Sequence, residues 1–174
     1  MSELHFVKGH GTENDFIIIP DANGVIDLSD SRVRALCDRR AGLGADGVIR
    51  VVRTDACEDP AAVAARDEAL WFMDYRNADG SLSQMCGNGV RVMALYLATH
   101  ADVDLRNQLL IATRGGIKRI DFDGANITVD MGDPVVKGES NVGVGAKSWS
   151  SRHVDMGNPH AVAFVESLED AGDL

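Results

Sequence analysis

The sequence predicts a mixed α/β fold (α+β in the mixed sense) built around one enclosed helix. Three observations predict it. Apolar residues at Val90, Met93, Ala94, Leu97 and Ala101 follow the i, i+3, i+4, i+7 spacing of one helical face, and Val92, Leu95 and Tyr96 make the opposite side apolar too. Arg91 is the only charge between Val90 and Ala98, and a helix apolar all round sits inside something. Short runs rich in β-branched and aromatic residues flank that helix, and residues 109–113, 116–122 and 126–131 read as a meander whose last turn is Asp123-Gly124-Ala125.

In chain order, residues 5–8 and 16–19 read as short strands, and 9–15 between them has the composition of a turn. Ser29 or Ser31 caps a helix carried by Val33, Leu36 and Cys37 to Arg40, with Gly42 just past its end. Gly42-Leu43-Gly44-Ala45-Asp46-Gly47 then leads into a strand at 48–52. A phosphate loop needs strand, loop and helix in that order. Here helix precedes and strand follows, which argues against a nucleotide site.

Residues 54–69, rich in alanine and acid, read as a protruding solvated loop with at most a short helix. Residues 70–76 form a strand, and Asn77-Ala78-Asp79-Gly80-Ser81 is a turn directly before the enclosed helix. From 132 to 148 the composition shifts to Gly, Ser and Pro, a domain boundary. The expected domains are 1–131 and 132–174. The second begins with a strand, Gly157-Asn158 and an apolar strand, the same theme as the chain's opening. If Asn158 corresponds to Asn14, an internal duplication places the counterpart of Cys86 at about position 230.

Bulk properties narrow the function. The chain has 174 residues, 45% of them hydrophobic and 25% charged, within the range of a soluble globular protein. A net charge of −10 leaves no surplus of Lys and Arg for a phosphate backbone, so nucleic acid is excluded as a partner. No apolar run reaches the ~20 residues that span a bilayer, and the first residues do not read as a signal peptide, so no membrane association is expected and cytoplasm is the default. The three cysteines have irregular spacing with no CxxC pair, which indicates neither a disulfide framework nor a metal site. Cys37 belongs to a helix face and Cys57 to the acidic loop.

Cys86 is different. It stands immediately before Gly87-Asn88-Gly89 at the start of the enclosed helix, where positive partial charge and unpaired N–H groups favour a thiolate. Glycines in a first turn weaken a helix by roughly 1 kcal/mol each relative to alanine, and what they leave is bare backbone. Bare N–H groups at that point hold an anion such as a carboxylate. The competing reading is a small buried hydrophobe, the commonest fate of a cysteine.

Taken together these segments resemble the diaminopimelate epimerase family. The resemblance runs from Lys8 to His160 and rests on four ordered motifs. They are Lys8-Gly9-His10-Gly11 with Asn14-Asp15-Phe16, Gly42 to Gly47, Asn77-Ala78-Asp79-Gly80-Ser81 through Cys86-Gly87-Asn88-Gly89, and Gly157-Asn158-Pro159-His160. It implies a curved sheet wrapped around a central helix, normally in two pseudo-symmetric domains with the site between them, here one complete and one truncated. It also implies a cytoplasmic isomerase of lysine and peptidoglycan precursor synthesis that needs neither pyridoxal phosphate nor any other cofactor or metal. Its substrate is the small molecule diaminopimelate, and pairing of the complete protein as a homodimer is compatible with it.

By that likeness Cys86 is one of two catalytic cysteines on opposite faces of the substrate's α-carbon, one acting as thiolate base and the other as thiol acid. Substrate-binding roles fall to Gly87 and Asn88 through their N–H groups and to the amides of Asn14, Asn77 and Asn158, with His160 in a supporting position. Gly47 stands where some members carry a glutamine that touches substrate, so any contact from it is through backbone or water. The second cysteine is absent, so the chain is expected to be a fragment unable to epimerise alone. Other expectations compete with this one. They are a proline-racemase-like or phenazine-biosynthesis-like isomerase of the same fold, a cysteine hydrolase using Cys86 and His160, and a non-catalytic binding module.

Overall fold

The computed structural model describes residues 3–101, 103–104 and 106–172. The chain divides into two compact units, Met1–Met131 and Gly132–Leu174.

Unit 1 is one seven-stranded sheet in the order β1 to β7: Val7–Gly11, Asn14–Pro20, Gly47–Arg53, Trp71–Asn77, Leu109–Thr113, Gly116–Asp123 and Asn126–Asp130. Among the described residues three α-helices accompany it, α1 at Asp30–Cys37, α2 at Pro60–Ala64 and α3 at Gly87–His100. Two pairings are parallel, β2 with β3 through the crossover α1 and β4 with β5 through the crossover α3; the rest are antiparallel.

Strand alternation sorts the side chains by face. Phe16 and Ile18 on β2, Ile49 and Val51 on β3, Met73 and Tyr75 on β4, Ile111 on β5 and Ile120 on β6 all point inward. There they enclose Val90, Met93, Ala94 and Leu97 of α3. Full burial of side chains this size stabilises by about 1.5–3 kcal/mol each. The sheet curls until both edge strands, β1 and β7, reach α3. The enclosure is incomplete: Leu95, expected to be buried, is 53% exposed on the side of α3 that neither edge covers.

The outer face carries two apolar clusters. Ile17, Ile19 and Val48 pack under Val33 and Cys37 of α1. Val52, Phe72 and Ala112 pack under the segment of α2. Between them Asp74 lies almost wholly buried, with Arg50 at 2.9 Å and Arg114 at 2.6 Å from its carboxylate oxygens and Arg76 at 3.5 Å. Asp21 and Asp59 complete the set, pairing with Arg50 and Arg114. Burial opposes ionisation of Asp74, but Arg114, Arg50 and Arg76 outweigh it and hold the carboxyl below its usual range.

Three local expectations are corrected. Residues 9–15 are mostly strand, and only Thr12 and Glu13 form the turn, because Gly11 pairs with Asn14 in a tight hairpin. Helix α1 stops at Cys37, before Arg40, because the Asp38 carboxylate takes the N–H groups of Arg40 and Ala41 and draws the backbone into a turn. The 54–69 segment does not protrude. Asp59 caps α2, and Ala62, Ala65, Ala69 and Cys57 are buried against the sheet. The alanine spacing at 62, 65 and 69 marked that face, and the acids around it obscured it. Within 132–148 lies a ten-residue strand, β8, Val135–Val144.

Unit 2 is a three-stranded antiparallel sheet in the order β10, β9, β8, with β9 at Lys147–Asp155 and β10 at Pro159–Ala163. Ser140 and Ser151 share a hydrogen bond across β8 and β9. Among the described residues no helix is long and apolar enough to cross a membrane.

Replacing Asp74 by Asn leaves three guanidinium groups without their shared carboxylate, and loss of a buried partner of this kind costs about 3–5 kcal/mol, readable by urea unfolding. Because the folded carboxyl titrates below its unfolded value near 3.9, its contribution is complete above that pH and is lost as the pH falls through the lower folded value. The stability of Asp74→Asn therefore declines less steeply below about pH 4 than that of the wild type.

Candidate active site

Crossover α3 leaves the C-terminal end of β4 and returns to β5, so its N-terminus stands at the end of the sheet where Asn77 closes β4. Parallel strands β2 and β3 begin at that same end, since Phe16 and Asn77 both pair with Gly47. Asn14, Gly47, Asn77 and the head of α3 are thus neighbours by register. Asn14 and Asn88 are in direct contact, with Asn88 Nδ2 donating to Asn14 Oδ1 at 2.6 Å.

The loop that delivers Cys86 is held from one side. Strands β4 and β5 pair only at Trp71–Ile111 and Phe72–Ala112 and then separate. Arg114 fills the gap. Its Nη1 donates to Tyr75 O at 3.0 Å and to Ser83 O at 3.4 Å, while its Nη2 holds Asp74. Gly115 N–H donates to Gln84 O at 2.9 Å, tying the same loop to the β5–β6 turn.

Cys86 is the N-cap of α3, in extended conformation with φ −138° and ψ 118°. Its carbonyl accepts the first helical bond, from Val90 N–H at 2.9 Å. The N–H groups of Gly87, Asn88 and Gly89 precede that bond, so they have no acceptor within the helix. The thiol is half-buried, packed against the inner core. Gly89 fits a close-packed spot, where a Cβ would lie 3.3 Å from Ile49 Cδ1, a tight contact, and 3.5 Å from Cys86 Cβ, an ordinary one. The helix dipole adds roughly half a positive charge at this end. Beside it, burial pushes the Tyr75 phenol well above its ordinary range, and the neighbouring Cys86 and Asp46 add to the shift.

A charged cluster backs Asn14. Lys8 and Arg39 contact Asp15 at 2.7 and 2.6 Å, and Arg39 reaches Asp46 at 2.9 Å. Hydrogen bonding from Arg39 holds the Asp15 carboxyl far below its usual range against partial burial, and Lys8 assists. Asn77 supports its own turn, with Nδ2 donating to Ser81 Oγ at 3.0 Å and its carbonyl accepting from Gly80 N–H.

In unit 2, Asn158 lies in the β9–β10 turn and His160 follows it on β10, paired with Val154. The side-chain oxygen of Asn158 is buried without a hydrogen-bond partner among the described residues. His160 is exposed and its Nδ1 lies 3.1 Å from Asn158 O. Among the described residues no group of three or more His, Cys, Asp or Glu side chains is arranged to hold a metal ion.

Residues 6–137 match the family model described as diaminopimelate epimerase. The chain belongs to the diaminopimelate epimerase family. The protein of that name from Streptomyces coelicolor is 53% identical over 175 residues, covering 99% of this chain and 60% of the relative. Those from Thermobifida fusca and Corynebacterium glutamicum strain R are 50% and 48% identical, covering 93% and 95% of this chain and again 60% of each relative. The chain thus spans about 60% of the length of these relatives.

Among solved structures, a hydroxyproline epimerase from Agrobacterium vitis aligns with TM-score 0.61 at 11% identity, over 97% of this chain and 52% of that one. A PhzF-family protein from Bacillus anthracis aligns with TM-score 0.52 at 17% identity, over 87% of this chain and 53% of that one. At such identities the likeness is one of fold, and it agrees with the curved sheet expected from the sequence.

In this member of the diaminopimelate epimerase family, Tyr75 occupies the space beside Gly47. A Cβ at Gly47 would lie 2.5 Å from Arg76 O and 2.6 Å from Tyr75 Cε2. Tyr75 is not legible in the sequence as a neighbour of the site, because it is itself a member of the buried inner core. Asp46 and Arg91 are likewise not legible as partners of the asparagines, although Arg91 is the lone charge of its helix. Gly47→Ala forces β4 or the Tyr75 ring to shift and lowers stability by about 1–3 kcal/mol in denaturant unfolding. An unchanged midpoint would show that β3 and β4 are not packed this tightly.

Proposed function

We propose that the protein acts in epimerising diaminopimelate between its LL and meso forms, a step of lysine and cell-wall precursor synthesis, by proton transfer at the α-carbon without a cofactor. The observation that carries this reading is the half-buried Cys86 thiol at the N-cap of α3 beside three N–H groups with no helical acceptor. The near-50% identity to relatives of that name supports the choice of substrate.

Inversion at a carbon needs a base on one face, an acid on the other and a sink for the charge between them. Cys86 as thiolate takes the α-proton, or as thiol returns one, according to the isomer bound. The charge of the carbanion spreads into the α-carboxylate, and the N–H groups of Gly87 and Asn88 donate hydrogen bonds to that carboxylate at the positive end of α3. Asn14, Asn77 and Asn158 supply amides that both donate to carboxylate and accept from ammonium. The orphaned Asn158 oxygen is an acceptor suited to an ammonium donor. His160 has a supporting role at the Asn158 turn.

The second thiol is a further part of the proposal. Cys37 and Cys57 are buried in the two clusters on the outer face of the sheet, whereas Cys86 packs on the inner core. Neither can serve the opposite face of a substrate held at Cys86. The 174-residue chain by itself is therefore proposed to lack turnover, and gly-asn-pro-bearing unit 2 is proposed as the start of a second, pseudo-symmetric domain that supplies the partner thiol.

The test follows solvent deuterium into the α-position of diaminopimelate. Full-length wild-type protein incorporates deuterium with inversion. Cys86→Ser loses about 100-fold to 10,000-fold in rate, the usual worth of a general acid or base, because a hydroxyl is a poor base near neutral pH. Inversion catalysed by the 174-residue chain alone would refute the two-cysteine reading. Turnover of a cyclic imino acid in place of diaminopimelate would redirect the assignment to another isomerase of this fold.

A further inference from the structure

Four side chains at the head of α3 form a hydrogen-bonded chain with a direction. Arg91 Nη2 donates to Asn88 Oδ1 and, at 2.7 Å, to Thr12 Oγ1. Asn88 Nδ2 donates to Asn14 Oδ1 at 2.6 Å, and Asn14 Nδ2 donates to Asp46 Oδ2 at 3.1 Å.

The two ends differ in kind. A guanidinium carries donors only, and an ionised carboxylate carries acceptors only. The Asn88 atom that faces Arg91 is therefore its oxygen, which turns its nitrogen toward Asn14. The Asn14 atom that faces Asp46 is its nitrogen, which turns its oxygen toward Asn88. A primary amide has nearly the same shape after a 180° flip, so only its partners decide which end is which. Here one cation and one anion decide for both amides.

Both ends are themselves fixed. Asp46 accepts from Arg39 at 2.9 Å and from Asp15 N–H at 3.1 Å, and its own N–H donates to Asp15 O at 2.9 Å. Arg91 springs from the start of the second turn of α3, on a helix whose inner face is locked in the core, and its second bond reaches the tip of the β1–β2 hairpin.

We propose that Arg91 and Asp46 are positioning residues that set the polarity of the Asn88 and Asn14 amides, so that each presents its remaining N–H and its remaining oxygen lone pair to an α-amino acid in one fixed orientation. The proposal rests on the reading that Asn14 touches substrate through its amide and Asn88 through its backbone N–H, and it adds the Asn88 side chain to those contacts. A flipped amide would set NH₂ against the substrate's ammonium and a carbonyl oxygen against its carboxylate, replacing two attractions with two repulsions. These contacts exist in ground state and transition state alike, so the polarity acts on binding more than on the proton transfer.

The test uses Arg91→Gln, Arg91→Lys and Asp46→Asn. Glutamine and asparagine can present either oxygen or nitrogen, whereas lysine keeps a donor-only end. In the full-length protein Arg91→Gln is expected to raise KM for diaminopimelate about tenfold or more, the worth of a hydrogen bond to a charged group, with a smaller change in kcat. Arg91→Lys recovers most of that loss.

A second readout needs no turnover. In ¹⁵N spectra of the unliganded protein, wild type and Arg91→Lys give one set of side-chain NH₂ signals for Asn14 and Asn88, whereas Arg91→Gln and Asp46→Asn give doubled or exchange-broadened signals. A single unchanged set in both variants, or an unmoved KM in Arg91→Gln, would overturn the proposal. Failure of the wild type to epimerise diaminopimelate would instead refute the proposed substrate, and the spectra would still decide whether Arg91 and Asp46 fix the amides.

Discussion

The enclosure of α3 is the constraint on which unit 1 depends. A helix with Val90, Val92, Met93, Ala94 and Leu97 all buried presents more apolar circumference than a flat sheet can cover, even with Leu95 left exposed. The sheet has to curl, and strands from both of its edges have to reach the helix. Curling exposes the outer face, which then needs its own cover. Short α1 and the alanine-lined segment of α2 provide it, and the Asp74 cluster fills the strip between them. The cluster also reaches the site, since Arg114 pairs with Asp74 and holds the carbonyls of Tyr75 and Ser83 on the path to Cys86.

Enclosure also decides where chemistry can occur. Most of the circumference of α3 is occupied by core, with Leu95 left exposed, and its N-terminal turn emerges where β4 and β5 part. The backbone donors of that turn have no acceptor within the helix, as at the start of any α-helix. Gly89 lets Ile49 and Cys86 approach closely at that point. Rigidity of the buried turns below therefore fixes the position of the thiol above, and the asparagines inherit the same frame through the Asn88–Asn14 contact.

What was legible in the sequence followed strong periodicity and strong punctuation. The central helix and its start at Cys86-Gly87 were readable from apolar spacing and glycine, and β5 to β7 from alternation and the Asp123-Gly124 turn. Short-range signals misled where a tertiary partner outweighed them. Gly9 and His10 look like turn residues, but pairing with Phe16 and Asp15 keeps them extended. The acids around α2 look solvated, but Ala62, Ala65 and Ala69 bury a small-residue face that charge density concealed. Site residues were readable where backbone chemistry demanded a residue type, as at Cys86 and Gly87. Arg91 faces Asn88 at i, i+3, a spacing the sequence carries, but its anchor at Thr12 and the pairing of Asp46 with Asn14 join residues dozens of positions apart, and no local pattern announces them.

The β1–β2 turn shows how far the structure departs from local preference to maintain that pairing. Thr12 and Glu13 have φ of 52° and 69°, the left-handed conformation that a two-residue hairpin of this type requires at both positions. Asn-Gly is the favoured pair, and a β-branched residue there is an outlier that costs on the order of 1–3 kcal/mol. Asn-Gly would relieve the strain, but neither residue has a hydroxyl in the place of Thr12 Oγ1, which accepts from Arg91 at 2.7 Å. Without that bond the guanidinium loses one of its two anchors, and Asn88 loses a rigid donor. The strain at the hairpin tip is thus coupled to the orientation of the amides: a turn with lower backbone energy would leave the polarity of Asn88, and through it of Asn14, less strictly determined.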